Sequence, residues 1–349
     1  MQTKTINLED AVGKILYHDL TKVVRGEFKG PAFRKGHVIR LADIDELLKM
    51  GKENIYISEV ADDELHEDEA GIRLGKAAAA LGVYCSEPKE SKVTLYAEHN
   101  GLLKINFAAL AEVNDLPEVI LSTLPNNTPV TKGEMVAGTK VIPLAIKEDI
   151  ILEAEEICRK SGGIISVEPF QTLKAAIIVT GSEVYYGRIK DEFGPVLKNK
   201  IESFGSTVLG IKYVGDDALE ISRLIKEAIE QGANLVLISG GMSVDPDDVT
   251  PLGIKLSGAT IEKYGAPVLP GAMFLLAYSS DVAILGVPAC GMFFKTTVLD
   301  LILPRLFAKG KVKRHDIVAL AHGGLCRSCP ECRYPGCSFG SAGSGYQFL

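Results

Sequence analysis

The sequence predicts an α/β protein: a doubly wound, mostly parallel sheet preceded by smaller mixed α+β and β-rich amino-terminal domains. Two observations carry that prediction. Short continuous apolar runs at 175–179, 234–238 and 282–285 alternate with amphipathic stretches of helical period, the pattern of strands buried on both faces with crossover helices between them. At 349 residues the chain is also longer than one compact core usually holds. The expected division is a small mixed domain with an acidic linker (1–70), a β-rich domain (71–172), the α/β domain (173–310) and a cysteine-rich tail (311–349).

Composition bounds the function. Hydrophobic residues make up 46% and charged residues 24%, which excludes a disordered chain or a coiled coil as a description of the whole. The net charge of -7 argues against a nucleic-acid-binding surface spread over the molecule. The most apolar region, 266–294, is interrupted by Pro267, Pro270, Gly271, Asp281, Gly286, Pro288 and Gly291. A membrane helix needs about 20 consecutive apolar residues, so no membrane span is expected. Met1, Gln2, Thr3, Lys4 and Thr5 open no apolar leader, and seven cysteines are an odd number. Together these predict a cytoplasmic protein whose thiols ligate metal rather than pair as disulfides.

Within 1–70, Ile44, Leu47 and Leu48 mark one face of a short helix ended by Gly51, and Ile55, Tyr56 and Ile57 a strand. The acidic stretch 59–69 reads as a solvated linker or helix face. In 91–145, alternation at Val93, Leu95 and Ala97 followed by Asn100 and Gly101 predicts a hairpin into Leu103 and Ile105. Residues 147–161 read as a helix stopped by Gly162 and Gly163.

From 174 the strand–loop–helix pattern repeats. Gly194 and Pro195 open a helix that Gly205 closes, and 208–214 is the next strand. Asp216 or Asp217 caps a helix whose Ile221, Leu224, Ile225, Ala228 and Ile229 form a 3.6-residue stripe. Thr250 and Pro251 open another helix, and 293–303 one that Pro304 stops or kinks. The Gly/Ser-rich residues 338–349 read as a mobile tail.

Ligands of open α/β sheets collect at the carboxyl ends of the strands, where three loops arrive. The first holds Thr180, Gly181, Ser182 and Glu183, with Gly187 and Asp191 beyond. The second runs Ser239, Gly240, Gly241, Met242, Ser243, Val244, Asp245, Pro246, Asp247, Asp248. Adjacent glycines let the backbone aim several N–H groups into one concavity suited to phosphate. Asp245, Asp247 and Asp248 would repel one another without a cation and could hold Mg²⁺; equally, Asp248 and Thr250 could merely cap the following helix. The third loop, Pro288, Ala289, Cys290 and Gly291, is a weaker anion site, with Cys290 better read as a small buried hydrophobe than as a nucleophile.

Residues 174–308 resemble the molybdopterin-binding domain of molybdenum cofactor biosynthesis proteins, the molybdopterin adenylyltransferases and molybdenum insertases. The matching residues are Thr180-Gly181-Ser182-Glu183-Val184 with Gly187-Arg188-Ile189-Lys190-Asp191, then Gly215-Asp216-Asp217, and most specifically Ser239-Gly240-Gly241-Met242-Ser243 followed by Asp248-Val249-Thr250-Pro251. Asp10-Ala11-Val12-Gly13 and Phe28-Lys29-Gly30-Pro31-Ala32-Phe33 are similar, less specifically, to the amino-terminal part of insertase-like proteins.

The resemblance implies molybdopterin as ligand, contacted by Gly240, Gly241 and Ser243, with Thr180, Gly181, Ser182, Asp191, Ser239 and Pro288 around it. It implies Mg²⁺ or molybdate on Asp248, with Asp245, Asp247, Glu183 and Asp191 as further carboxylates, and a homodimer. Its fullest form is Mg²⁺-dependent, insertase-like molybdate transfer with Asp248, Asp245 and Glu183 as catalytic groups. The sequence also departs from the family. Phe193 stands where members carry asparagine, Leu269-Pro270-Gly271-Ala272-Met273 has lost both lysines of a Lys-Pro-Gly-Lys-Pro segment, and Pro288-Ala289-Cys290-Gly291 replaces Pro-Gly-Asn-Pro. Those losses favour the alternative of a non-catalytic cofactor carrier or sensor. A nucleotide-cleaving relative of the same fold is a third reading, weakened because no metal-ligand histidine lies near the loops.

Cys326, Cys329 and Cys332 form C-x2-C-x2-C, with Cys337 following. That spacing suits an iron–sulfur cluster; a four-sulfur Zn²⁺ site is the rival, because its ligands also occur at short spacings, but zinc more often uses separated pairs, which favours the cluster, and four uncoordinated thiols are the remaining reading. His322 could stand in for a thiolate, though a surface loop position is the simpler role.

Overall fold

The computed structural model describes residues 4–24, 27–57, 63–89, 91–308 and 310–341. Part of the acidic stretch (59–62) and most of the Gly/Ser-rich tail (342–349) lie outside the described residues. The chain divides into two compact units: Met1–Tyr96, Asn106–Thr123 and Met135–Ile165 form one, and Ala97–Ile105, Leu124–Glu134 and Ser166–Leu349 the other.

In the first unit, Leu8, Ala11, Leu16, Leu20, Ile39, Leu47 and Ile55 make a small core. The helix Ile44–Lys49 forms as expected, but Leu48 faces solvent and Leu47 alone of its run is buried. The described part of the acidic stretch is not a linker. Glu64–His66 pairs with Ala145–Lys147, and Glu67–Ala78 is a helix whose first-turn carboxylates suit its positive end.

The hairpin expected at Asn100 and Gly101 does not form. Val93–Ala97 pairs with Met135–Val141, whereas Gly101–Ile105 joins Pro129–Val130 and Ile165–Pro169 in a separate sheet. A β-carbon on Gly101 would sit 2.3 Å from the Glu168 carbonyl oxygen, so this glycine serves a close backbone approach rather than a turn.

The second unit is built on a six-stranded sheet. Its strands are β1 (Lys174–Thr180), β2 (Thr207–Val214), β3 (Leu235–Ser239), β4 (Thr260–Tyr264), β5 (Leu275–Ser279) and β6 (Val282–Val287), in the order β2-β1-β3-β6-β5-β4. β2, β1, β3 and β6 are parallel, while β5 and β4 add antiparallel. β4 and β5 were not legible in the sequence, and β2, expected to be buried on both faces, is a half-exposed edge strand.

Helices α1 (Phe193–Glu202) and α4 (Val298–Phe307) cover one face, with Leu197, Ile201, Ile302 and Phe307 in its core. α2 (Ala218–Glu230) and α3 (Thr250–Leu256) cover the other through Ile221, Ile225 and Ile254. The fold is doubly wound, as the sequence predicts.

Pro304 neither stops nor ends α4, which a Thr297/Asp300 capping box starts and which runs to Phe307. Proline removes the N–H that would reach the Asp300 carbonyl; the Tyr334 hydroxyl donates to that oxygen instead, at 3.0 Å. The described tail is therefore anchored: Phe339 is 5% exposed in the same core.

Directly after Pro304, Arg305 is 9% exposed and its Nε meets no partner. Burial lowers its pKa from the ordinary arginine value. Removing a buried cation whose Nε is unsatisfied, while keeping volume, should stabilise, so Arg305→Met is expected to raise the unfolding free energy read by urea denaturation by about 1–3 kcal/mol. A fall in that free energy would show that the guanidinium is productively paired.

Candidate functional site

β1 sends the chain to α1 on one face of the sheet, whereas β3 sends it to α3 on the other. The crevice beyond the adjacent carboxyl ends of β1 and β3 is thus the topological switch point, where such sheets bind ligands. Thr180-Gly181 and Ser239-Gly240 lie at its two lips.

The paired glycines are required sterically. Gly240 has φ +90°, and a β-carbon there would stand 2.4 Å from the Thr180 carbonyl oxygen. Gly241 has φ +58°, and its β-carbon would stand 2.6 Å from Thr250 Oγ1. Thr250 is fully buried; its hydroxyl donates to the Gly240 carbonyl (2.9 Å) and its N–H to that of Gly241 (3.2 Å). Thr180 Oγ1 lies 3.3 Å from Thr250 Oγ1 and donates to the Ser239 carbonyl at 3.1 Å. With both glycine carbonyls tied down, the N–H groups of Gly241, Met242, Ser243 and Val244 meet no acceptor among the described residues. Ser239 Oγ, on a side chain 1% exposed, also lacks a partner. Unsatisfied donors around one bend suit an anion.

The acids behave differently. Asp248 folds back so that its carboxylate accepts the Asp245 N–H (3.1 Å), while its own N–H donates to the Asp245 carbonyl (2.9 Å). Neither Asp248 nor Thr250 caps α3, whose N-cap is Val249 without a side-chain bond. Asp245 and Asp247 are exposed.

Across the crevice, Gly181 has φ +133°, and a β-carbon there would stand 2.8 Å from Glu183 Oε1. The Ser182 N–H donates to Asp216 at 3.0 Å, and Asp217, not Asp216, caps α2. Asp191 accepts the N–H groups of Phe193 (2.8 Å) and Gly194 (3.0 Å) and the Tyr213 hydroxyl (3.1 Å), so it secures the start of α1. The structure brings Thr180, Ser239, Gly240 and Gly241 together, and it does not bring Asp245, Asp247, Asp248, Glu183 and Asp191 onto one point. Among the described residues, no three His, Cys, Asp or Glu side chains are grouped to hold a metal ion.

At the end of β6, Pro288 is buried, and burial raises the pKa of the Cys290 thiol, as a small hydrophobe requires. Gly291 packs on the Phe193 ring, where a β-carbon would lie 3.0 Å from it. The phenyl group that stands where the family has asparagine is thus buried wall.

Comparison with known families agrees with this geometry: residues 176–308 match the family model described as a probable molybdopterin binding domain. The second unit carries the domain that this family model describes. Residues 5–59 match a family described only as a domain of unknown function (DUF8806). A CinA-like protein of Mycobacterium tuberculosis is 34% identical over 77 residues, which are 22% of this chain and 18% of that protein. A Pyrococcus abyssi protein is 37% identical over 83 residues, 24% of this chain and 33% of its own. The chain thus covers well under two thirds of these relatives. Among solved structures, CinA of Thermoplasma acidophilum has a TM-score of 0.34 at 19% identity, covering 38% of this chain and 96% of its own. The Thermus molybdopterin biosynthesis enzyme MoaB has a TM-score of 0.33 at 17% identity, covering 39% and 92%.

Two residues that shape the crevice's rim carry no signal in the sequence. Tyr264 donates its hydroxyl to the Met242 carbonyl (3.0 Å), and burial together with the Asp248 charge raises its pKa. Tyr213 holds Asp191. Both lie on strands at the sheet edges, where no motif marks them. No helix is long and apolar enough to cross a membrane among the described residues.

Past the domain's end, Cys326, Cys329, Cys332 and Cys337 do not converge on one ion. They line one cavity of about 330 Å³, walled also by Phe293, Phe294 and Phe339. Thr296 Oγ1 bonds Cys332 Sγ (3.1 Å), which holds that thiol below the usual range, and the Ser328 N–H donates to Cys326 Sγ (3.4 Å).

Proposed function

We propose that the crevice between β1 and β3 binds molybdopterin, with the ligand's phosphate on the N–H groups of Gly241 to Val244 and the Ser239 hydroxyl within the same bend. The observation that carries this reading is the threonine web, which occupies both glycine carbonyls and leaves the amides unpaired. Gly181 and Ser182 form the opposite lip, and Pro288 closes the floor.

Mg²⁺ is commonly held by one or two carboxylates plus substrate phosphate, with waters filling its sphere. The exposed Asp245 and Asp247, with Asp248 beside them, fit that role next to a phosphorylated ligand. Bound there, the ion would offset negative charge on phosphate or molybdate. On this reading the protein works in molybdenum cofactor biosynthesis in the cytoplasm, as a homodimer with insertase-type transfer of molybdate. A carrier or sensor role is the second reading, favoured by the fold-back of Asp248 and by Asp191's commitment to α1.

Titration of the purified chain with molybdopterin, with and without Mg²⁺ and molybdate, tests both. Saturable binding to the parent and loss in Asp248→Ala support the site, and release of molybdenum-loaded product separates transferase from carrier. Absence of binding sinks the proposal.

Ser239→Ala gives readouts of opposite sign. Apo stability should stay level or rise by up to about 1 kcal/mol, because an unsatisfied buried hydroxyl is removed. Molybdopterin affinity should fall by about fivefold to tenfold. Unchanged affinity would remove Ser239 from the site.

A further inference from the structure

We propose that Cys326, Cys329, Cys332 and Cys337 ligate one [4Fe–4S] cluster in the cavity they share with Phe293 to Thr296, and that the cluster fixes this segment. The motif names four thiols; the structure adds that all four line a single space of about 330 Å³. A lone Zn²⁺, which draws its sulfurs in to about 2.3 Å, is the rival that the test below separates. A liquid water occupies about 30 Å³, so the cavity has room for a polyatomic cluster whose corners meet ligands arriving from different directions.

The surroundings suit such a group. Phe293, Phe294, Tyr334 and Phe339 wall the cavity with apolar surface, and Lys295, Arg327 and Arg333 line it too, of the sign that offsets an anionic cluster. The Ser328 N–H on Cys326 Sγ and the Thr296 hydroxyl on Cys332 Sγ are hydrogen bonds of the kind that steady cluster thiolates. Ser328 has φ +52°, the left-handed turn that carries the chain between Cys326 and Cys329. Assembly from two ferrous ions, two ferric ions and four sulfides replaces four thiol protons with iron–sulfur bonds and gives the [4Fe–4S]²⁺ state with no net electron transfer.

The inferred consequence is local order. Phe293 is 81% exposed, directly after the Pro288 loop. Tying Cys332, and through it Thr296, to a cluster should hold that segment in place.

The test uses the full chain, reconstituted anaerobically with equal amounts of ferrous and ferric iron and with sulfide, beside the same chain stripped by chelation. About four iron and four acid-labile sulfide per chain are expected, with a brown visible absorption. Cys332→Ser and Cys337→Ser should each lose at least half of the iron, while Cys85→Ser, outside the cavity, keeps it. Chymotryptic cleavage after Phe293 and Phe294 should slow at least tenfold in the reconstituted parent relative to the stripped parent, a comparison independent of whether any variant folds. Stoichiometric zinc that iron and sulfide do not displace, or no iron uptake, overturns the cluster. Iron bound without protection overturns the ordering role. Neither readout involves molybdopterin, so failure here and failure of the pterin site are separable.

Discussion

Gly240→Ala is expected to weaken molybdopterin binding by at least about a hundredfold, equivalent to roughly 2.7 kcal/mol, and to destabilise the domain by about 2–4 kcal/mol. The new β-carbon would stand 2.4 Å from the backbone carbonyl of Thr180, inside β1. That oxygen cannot swing aside as a side chain can, so the bend itself must move, and its free amides with it. At φ +90° the residue also lies in a region that side chains other than glycine's disfavour.

Gly241→Ala offers a control with a different obstacle. Its φ of +58° is ordinary left-handed backbone, and its β-carbon meets a side-chain hydroxyl, Thr250 Oγ1, at 2.6 Å. Combining Gly241→Ala with Thr250→Ala should therefore cost less than the sum of the single changes, by on the order of 1 kcal/mol. Gly240→Ala combined with Thr180→Ala should show only partial relief, because the Thr180 hydroxyl at 2.7 Å is removed but the carbonyl oxygen at 2.4 Å remains. Isothermal titration with molybdopterin and urea denaturation read both effects. Binding of Gly240→Ala within threefold of the parent would place the ligand elsewhere.

The parts legible in the sequence are those set by local rules. β1, β3 and β6 announce themselves as apolar runs because both faces are covered, and Asp217 caps α2 by the ordinary rule for short polar side chains. The paired glycines were legible as a bend at the sheet's rim. What stayed hidden depends on distant partners. Leu275–Ser279 is as apolar as its neighbours, yet its antiparallel direction follows from where β6 lies, not from its own residues. Asn100 and Gly101 carry a turn signal that the pairing of Gly101 with a remote strand overrides.

The candidate site shows the same division. Spacing named Asp248 and Thr250 but left a cation site and a helix cap equally open, whereas three-dimensional packing gives Thr250 to the Gly240 carbonyl and Asp248 to the Asp245 amide. Pro304 reads as a helix stop until Tyr334, thirty residues later in the chain, supplies the missing donor.

Thr250→Val follows from that packing and should have the second-largest effect. The substitution keeps shape but removes the hydroxyl that satisfies the Gly240 carbonyl at 2.9 Å and sits beside Thr180 Oγ1. Leaving a buried acceptor without a partner costs about 1–3 kcal/mol, so thermal and urea stability should fall by that amount. Thr250→Ser keeps the hydroxyl and loses only a buried methyl group, so it should retain most of the stability. Molybdopterin affinity should divide the two variants further. Once released, the Gly240 carbonyl no longer fixes which way the following amides face, and Thr250→Val should bind about tenfold more weakly. Thr250→Ser should bind within about twofold of the parent. If both variants keep full affinity while Thr250→Val loses stability, the web supports the fold but does not aim the amides. The phosphate would then have to be held by Gly181, Ser182 and the other lip of the crevice.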